Sequence, residues 1–116
     1  MLTLSPARLF TGDEIVEGAT VHVRDGRIAE VTRASSPGAV KLDGLMAPGF
    51  IDVQVNGGNG VLFNDAPTAQ TLATIADAHR KFGVTGFMAT LISDERSKAE
   101  KAIDAVADAM KAGVKG

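Results

Sequence analysis

Two carboxamides, Gln54 and Asn56, sit two residues apart at the end of a short apolar run, Phe50-Ile51-Asp52-Val53-Gln54-Val55, and a glycine-rich stretch follows to Gly60. In a strand, residues i and i+2 share a face, so both side chains are expected to point the same way where the chain leaves its sheet. Such a pair can line a strand end, with the carboxamide of Asn56 supporting the turn that follows. From spacing alone, a polar strand end is the simpler reading. The other candidates are weaker. His22 lies in an alternating strand and reads as a surface residue, while His79 falls on an apolar helical stripe and reads as packed. They are too isolated to form a histidine-based site. Gly58-Asn59-Gly60 runs on into Val61-Leu62-Phe63, so the third glycine of a dinucleotide-binding turn is missing and the next helix starts too late. Asp52, Asp65 and Asp94 read as turn or capping residues.

Composition narrows the classes further. The 116 residues are one domain's worth, 45% hydrophobic, with five Phe and no Trp or Tyr. The core is therefore expected to be built from small residues. The absence of cysteine excludes a disulfide framework, a thiolate metal site and a cysteine nucleophile. Twelve basic and fourteen acidic residues give a net charge of −2, with no basic cluster to suggest nucleic acid. No apolar stretch approaches the roughly 20 residues of a membrane span, and no signal peptide is readable at the N-terminus. A soluble, cytoplasmic protein is the expectation.

The elements that must position the two carboxamides change character near Pro48. Before it, Ala19–Val23 and Arg27–Val31 alternate as strands around Asp25-Gly26, a tight-hairpin dipeptide. Ser35-Ser36-Pro37-Gly38 breaks the pattern, and a short run follows at Val40–Leu42. Residues 1–47 thus read as a small antiparallel β unit. Residues 48–116 read as βαβα: a buried strand at Phe50–Val55, a helix from about Thr68 to Phe82, a strand over Thr85–Ile92, and a second helix. The first helix carries Leu72, Ile75, Ala76, His79 and Phe82 as its stripe, with Gly83 as its terminator. Ser93 or Asp94 is expected to cap the second helix, which presents Ala99, Ala102, Ile103, Val106 and Met110 on one face and ends at Gly113. Consecutive βα units require a parallel sheet covered by helices. The inner faces of Val53, Val55, Phe87, Ala89 and Leu91 are expected to lack an opposing wall. The sequence stops at Lys115-Gly116, where a third strand is expected.

The stretch Met46-Ala47-Pro48-Gly49-Phe50-Ile51-Asp52-Val53-Gln54-Val55-Asn56-Gly57 resembles the first barrel strand of the amidohydrolase superfamily, which ends in His-x-His. With Gln-x-Asn in those positions, followed by Gly57-Gly58-Asn59-Gly60 and Phe63-Asn64-Asp65, it is similar to the N-acetylglucosamine-6-phosphate deacetylase branch. Phe82-Gly83-Val84-Thr85-Gly86-Phe87 with Ala89-Thr90-Leu91-Ile92-Ser93 resembles that branch's second strand, and Asp25-Gly26-Arg27-Ile28-Ala29-Glu30-Val31 its leading β unit. The resemblance covers essentially the whole chain. It implies an α/β fold: part of an N-terminal β-sandwich over 1–47, then the first two βα units of an incomplete (β/α)8 TIM-like barrel over 48–116. It further implies hydrolysis of the acetamido group of a small sugar phosphate by a divalent metal, zinc or iron, that activates water. Gln54 and Asn56 would occupy the ligand positions and, with Gly57, wall the active site, which leaves a single metal position. Its Glu, histidine ligands and Asp acid–base belong to segments that this sequence does not contain. The chain alone is therefore expected to hold no metal and to be inactive, and to pair with the remainder of its barrel or with itself. The alternatives are a scaffold or half-protein docking a partner chain through its open sheet edge, and an amidohydrolase acting on a cyclic amide.

Overall fold

A computed structural model describes residues 1–115; Gly116, where the third strand is expected to follow, lies outside them. The chain divides into two compact units, Met1–Pro48 and Gly49–Gly116.

The first unit is a five-stranded sheet. Strands β1 (Leu2–Phe10), β2 (Ile15–Glu17), β3 (Thr20–Arg24) and β4 (Arg27–Thr32) follow the order β2-β1-β3-β4, and β5 (Val40–Met46) pairs with β1. Asp25 and Gly26, with φ of 51° and 74°, make the tight turn between β3 and β4 that the dipeptide predicts. The unit is not wholly antiparallel: β5 runs parallel to β1, from Leu4 beside Val40 to Leu9 beside Met46. The physical reason is the long connection after β4, which carries the chain across the sheet before it re-enters. Alternation also left β1 unread, because Pro6 and the polar residues around it break the pattern. Leu9, Ala19 and Val21 form the buried core here, with Leu4, Val16, Val23 and Met46 packed against them.

The second unit contains β6 (Phe50–Val55), a two-residue hairpin of β7 (Gly57–Gly58) and β8 (Val61–Leu62), α1 (Ala69–Arg80), β9 (Val84–Ala89) and α2 (Arg96–Lys111). Strands β6 and β9 are parallel neighbours. The side-chain oxygen of Thr68 caps α1 by accepting from the Thr71 amide at 3.1 Å. The stripe ends at His79, because the chain turns out of the helix and leaves Phe82 79% exposed. The cap of α2 falls at Glu95, with no side-chain cap bond; Asp94, expected there, is engaged elsewhere.

The core of this unit joins Val55, Phe63, Leu72 and Ile75 to Ala102, Ala105 and Ala109 of α2, with Phe87, Ala89 and Leu91 packed against it. Two expectations are corrected here. Val55, Phe87, Ala89 and Leu91 pack on the helix-covered side, whereas Val53 is exposed, as expected of a face without an opposing wall. On α2 the buried stripe is alanine, whereas Ile103 and Met110 are 70% and 77% exposed. Close approach of two helices favours the smallest side chain over the most apolar one.

Candidate functional site at the C-terminal ends of the parallel strands

Gln54 is exposed near the end of β6, and its backbone N–H donates to Asp52 Oδ1 at 3.1 Å. Asn56 is half-buried at the first position beyond the strand, and its backbone carbonyl accepts from the Phe63 backbone N–H at 2.8 Å. The ladder is irregular around Gln54: β6 takes three steps from Asp52 to Val55 where β9 takes two from Phe87 to Ala89. No hydrogen bond among the described residues joins the two carboxamides.

Gly57 opens the small hairpin, whose turn is Asn59-Gly60 with φ of 53° and 78°. Both residues have the left-handed backbone that an Asn-Gly hairpin turn needs, so the glycine-rich stretch is built as a hairpin and not as a phosphate cradle. A Cβ on Gly57 would lie 2.6 Å from the Val61 carbonyl oxygen, so only glycine fits this pairing without a backbone shift. Helix α1 holds the hairpin from behind. His79 Nε2 lies 2.9 Å from the Gly57 carbonyl, to which the ring N–H donates.

A second polar group gathers where the loops following β6 and β9 meet, and sequence reasoning did not single it out. Asn64 is buried, 5% exposed, directly after the wholly buried Phe63. Its Nδ2 donates to the Ile92 carbonyl at 2.8 Å and to Asp94 Oδ2 at 3.1 Å, and its Oδ1 accepts from the Ile92 amide at 3.0 Å. Lys98 Nζ donates to the same Asp94 oxygen at 2.8 Å. These bonds, led by the one from Lys98 and followed by those from Asn64 and the Glu95 amide, hold the Asp94 carboxyl at a pKa of about 2; Lys98 is raised in turn by Asp94. The quoted Phe63-Asn64-Asp65 run contained the key residue, but its main partner is the backbone of Ile92, which side-chain identity cannot reveal.

The residues present do not fit a catalytic metal by themselves. Gln54 and Asn56 offer neutral amide oxygens, and the described residues contain no group of three or more His, Cys, Asp or Glu placed to hold an ion. Among the described residues, no helix is long and apolar enough to cross a membrane.

No family model matches the chain. It is 39% identical over its whole length to an N-acetylgalactosamine-6-phosphate deacetylase of Shewanella sp. (strain ANA-3), of which it covers 31%. Against the N-acetylglucosamine-6-phosphate deacetylase of Rattus norvegicus it is 36% identical over 78% of the chain and 25% of the relative. Among solved structures, the N-acetyl-D-glucosamine-6-phosphate deacetylase of Mycobacterium smegmatis matches with a TM-score of 0.85 and 25% identity, over 98% of this chain and 33% of that one. The chain spans about a third or less of the length of these proteins. By sequence and by fold, this chain is similar to the N-terminal part of N-acetylgalactosamine- and N-acetylglucosamine-6-phosphate deacetylases.

Proposed function

We propose that this chain is the N-terminal portion of a metal-dependent, cytoplasmic deacetylase that hydrolyses the acetamido group of an N-acetylhexosamine 6-phosphate. The match to deacetylases along its full length carries this reading. In it, β6 and β9 are the first two strands of a (β/α)8 barrel, whose active site gathers at the C-terminal strand ends. Residues 1–47 form part of the accompanying β-sandwich. Gln54, Asn56 and Gly57 wall the site; the carboxamides donate and accept hydrogen bonds without carrying charge, which suits them to orient a polar substrate. No step through a metal is assigned to this chain, because its own residues do not fit one. The zinc or iron and the acid–base carboxylate belong to the rest of the enzyme.

Most of the related deacetylases are named for the glucosamine sugar, and one solved relative is a complex with N-acetyl-D-glucosamine-6-phosphate. The 39% identity to a galactosamine-sugar deacetylase favours a second reading in which the substrate is the 4-epimer. The test joins this segment to the C-terminal two-thirds of a related deacetylase and measures acetate release from both epimers. Turnover of either, with none from the 116-residue chain alone, is expected. A joined enzyme that folds and binds metal yet releases no acetate from either sugar would refute the reading.

A further inference from the structure

Asn64 pairs with both backbone groups of Ile92, as a residue on a neighbouring strand would. The pairing comes just after β9 has left its regular ladder, whose last bond runs from the Thr90 amide to the Val55 carbonyl. A side chain therefore continues the sheet for one more residue. On its other side, Asn64 follows Phe63, whose amide fixes the carbonyl of Asn56. One buried carboxamide thus fastens the loop after β6 to the loop after β9, beside the strand end that carries Asn56.

We propose that Asn64 is a positioning residue for this rim, clasping the two loops together with Asp94 and Lys98 as an outer brace. The clasp stands on its own geometry; its service to a catalytic rim rests on the deacetylase reading. Only a carboxamide meets the requirement. The site needs an acceptor for Ile92 N–H and, from the same side chain, donors for the Ile92 carbonyl and the Asp94 carboxylate.

Asn64→Asp keeps the shape and removes the donor. Two carboxylates then face one another, with Lys98 as the adjoining cation and Asp65 and Glu95 adding negative charge to its surroundings. Such a pair raises the pKa of one member, and the added proton restores a donor. In amide hydrogen exchange on the 116-residue chain at matched concentration, the Ile92 protection factor in Asn64→Asp should fall about tenfold at pH 7. It should recover in part as the pH drops through about 5, because one proton restores one of the two donors. The parent should show no such pH dependence, Asn64→Ala should lose protection at every pH, and the α1 amides should stay protected in all three. A merely space-filling role would leave the near-isosteric Asn64→Leu protected, whereas the clasp requires that it lose Ile92 protection at every pH. Ile92 protection in the parent no greater than that of exposed loops, or loss in Asn64→Asp without acid recovery, would overturn the clasp. In the joined enzyme, kcat of Asn64→Asp should follow the same acid recovery. A parent-like kcat profile with altered Ile92 exchange would overturn the positioning role and leave the deacetylase reading standing, whereas an inactive parent enzyme would remove that reading while the exchange result still stood.

Discussion

In the deacetylase reading, Gln54 and Asn56 put carboxamides where metal-binding histidines would otherwise stand. A carboxamide oxygen is a weak neutral donor, whereas imidazole nitrogen binds zinc, iron and similar ions well. In the joined enzyme, Gln54→His with Asn56→His is therefore expected to add a metal position, read as a rise in bound metal per chain after dialysis against zinc. A doubly substituted enzyme that still holds one metal at saturating supply would count against the strand-end assignment. The place of Gln54 and Asn56 at a strand end was legible in the sequence, because the apolar run Phe50–Val55 is bounded by turn residues on both sides. Asn64 was not legible in the same way. Its partners are the amide and carbonyl of Ile92, 28 residues away, and backbone groups leave no trace in residue types. An acidic residue just before a helix reads as its cap, yet Asp94 Oδ2 accepts from Lys98 and Asn64 while its Oδ1 accepts from the Glu95 amide.

Among the elements, strands bounded by strong turn chemistry were read best. Asp25-Gly26 fixes the β3–β4 hairpin, and Thr68 and Gly83 bracket α1 closely. Asn59-Gly60 carries the same hairpin signal, but strands of two residues are too short for alternation to register. That small hairpin is the least tolerant element near the candidate site. Gly57→Ala would press its methyl group on the Val61 carbonyl, and overpacking of this kind costs about 1–3 kcal/mol. A urea titration is expected to show that loss of stability; an unchanged midpoint would mean that the hairpin shifts freely. The sequence extends β9 to Ile92 because Leu91 and Ile92 are apolar and Thr90 and Ile92 are β-branched. In the structure Ile92 is paired by a side chain and so lies outside the ladder. The face of α2 was misjudged for the opposite reason: apolarity marks Ile103 and Met110, while proximity to α1 selects Ala102, Ala105 and Ala109.

Across the second unit, β6 and β9 pair only with each other among the described residues. Each presents an unpaired edge, and Phe50, Ile51, Val53 and Met88 are exposed on or beside the pair. Unpaired, apolar strand edges template association. The 116-residue chain is expected to self-associate, with a mean mass by light scattering that rises with concentration across a dilution series. A monodisperse monomer with a sharp cooperative melt would show a self-sufficient domain and would favour the scaffold alternative. The parallel character of this unit was readable from its two βα repeats, because parallel strands need crossover connections. The parallel pairing of β5 with β1 was not readable, since nothing in Val40–Met46 distinguishes the direction in which a strand will lie.

That parallel pairing also bears on how the chain comes off the ribosome. Strand β1 lies at the middle of its sheet: along one edge its second half meets β2 and its first half meets β3, while β5 takes the other edge. The first strand to be synthesised is therefore the last to be fully paired, since Leu4 must wait for Val40. The β1–β2 and β3–β4 hairpins close early over short loops, whereas the β1–β5 contact has to close a loop several times longer at a greater entropic cost. Throughout that interval Leu4 and Leu9 border an open edge on the nascent chain, and an interruption of synthesis between β4 and β5 would leave β1 as an unfinished strand available to another chain.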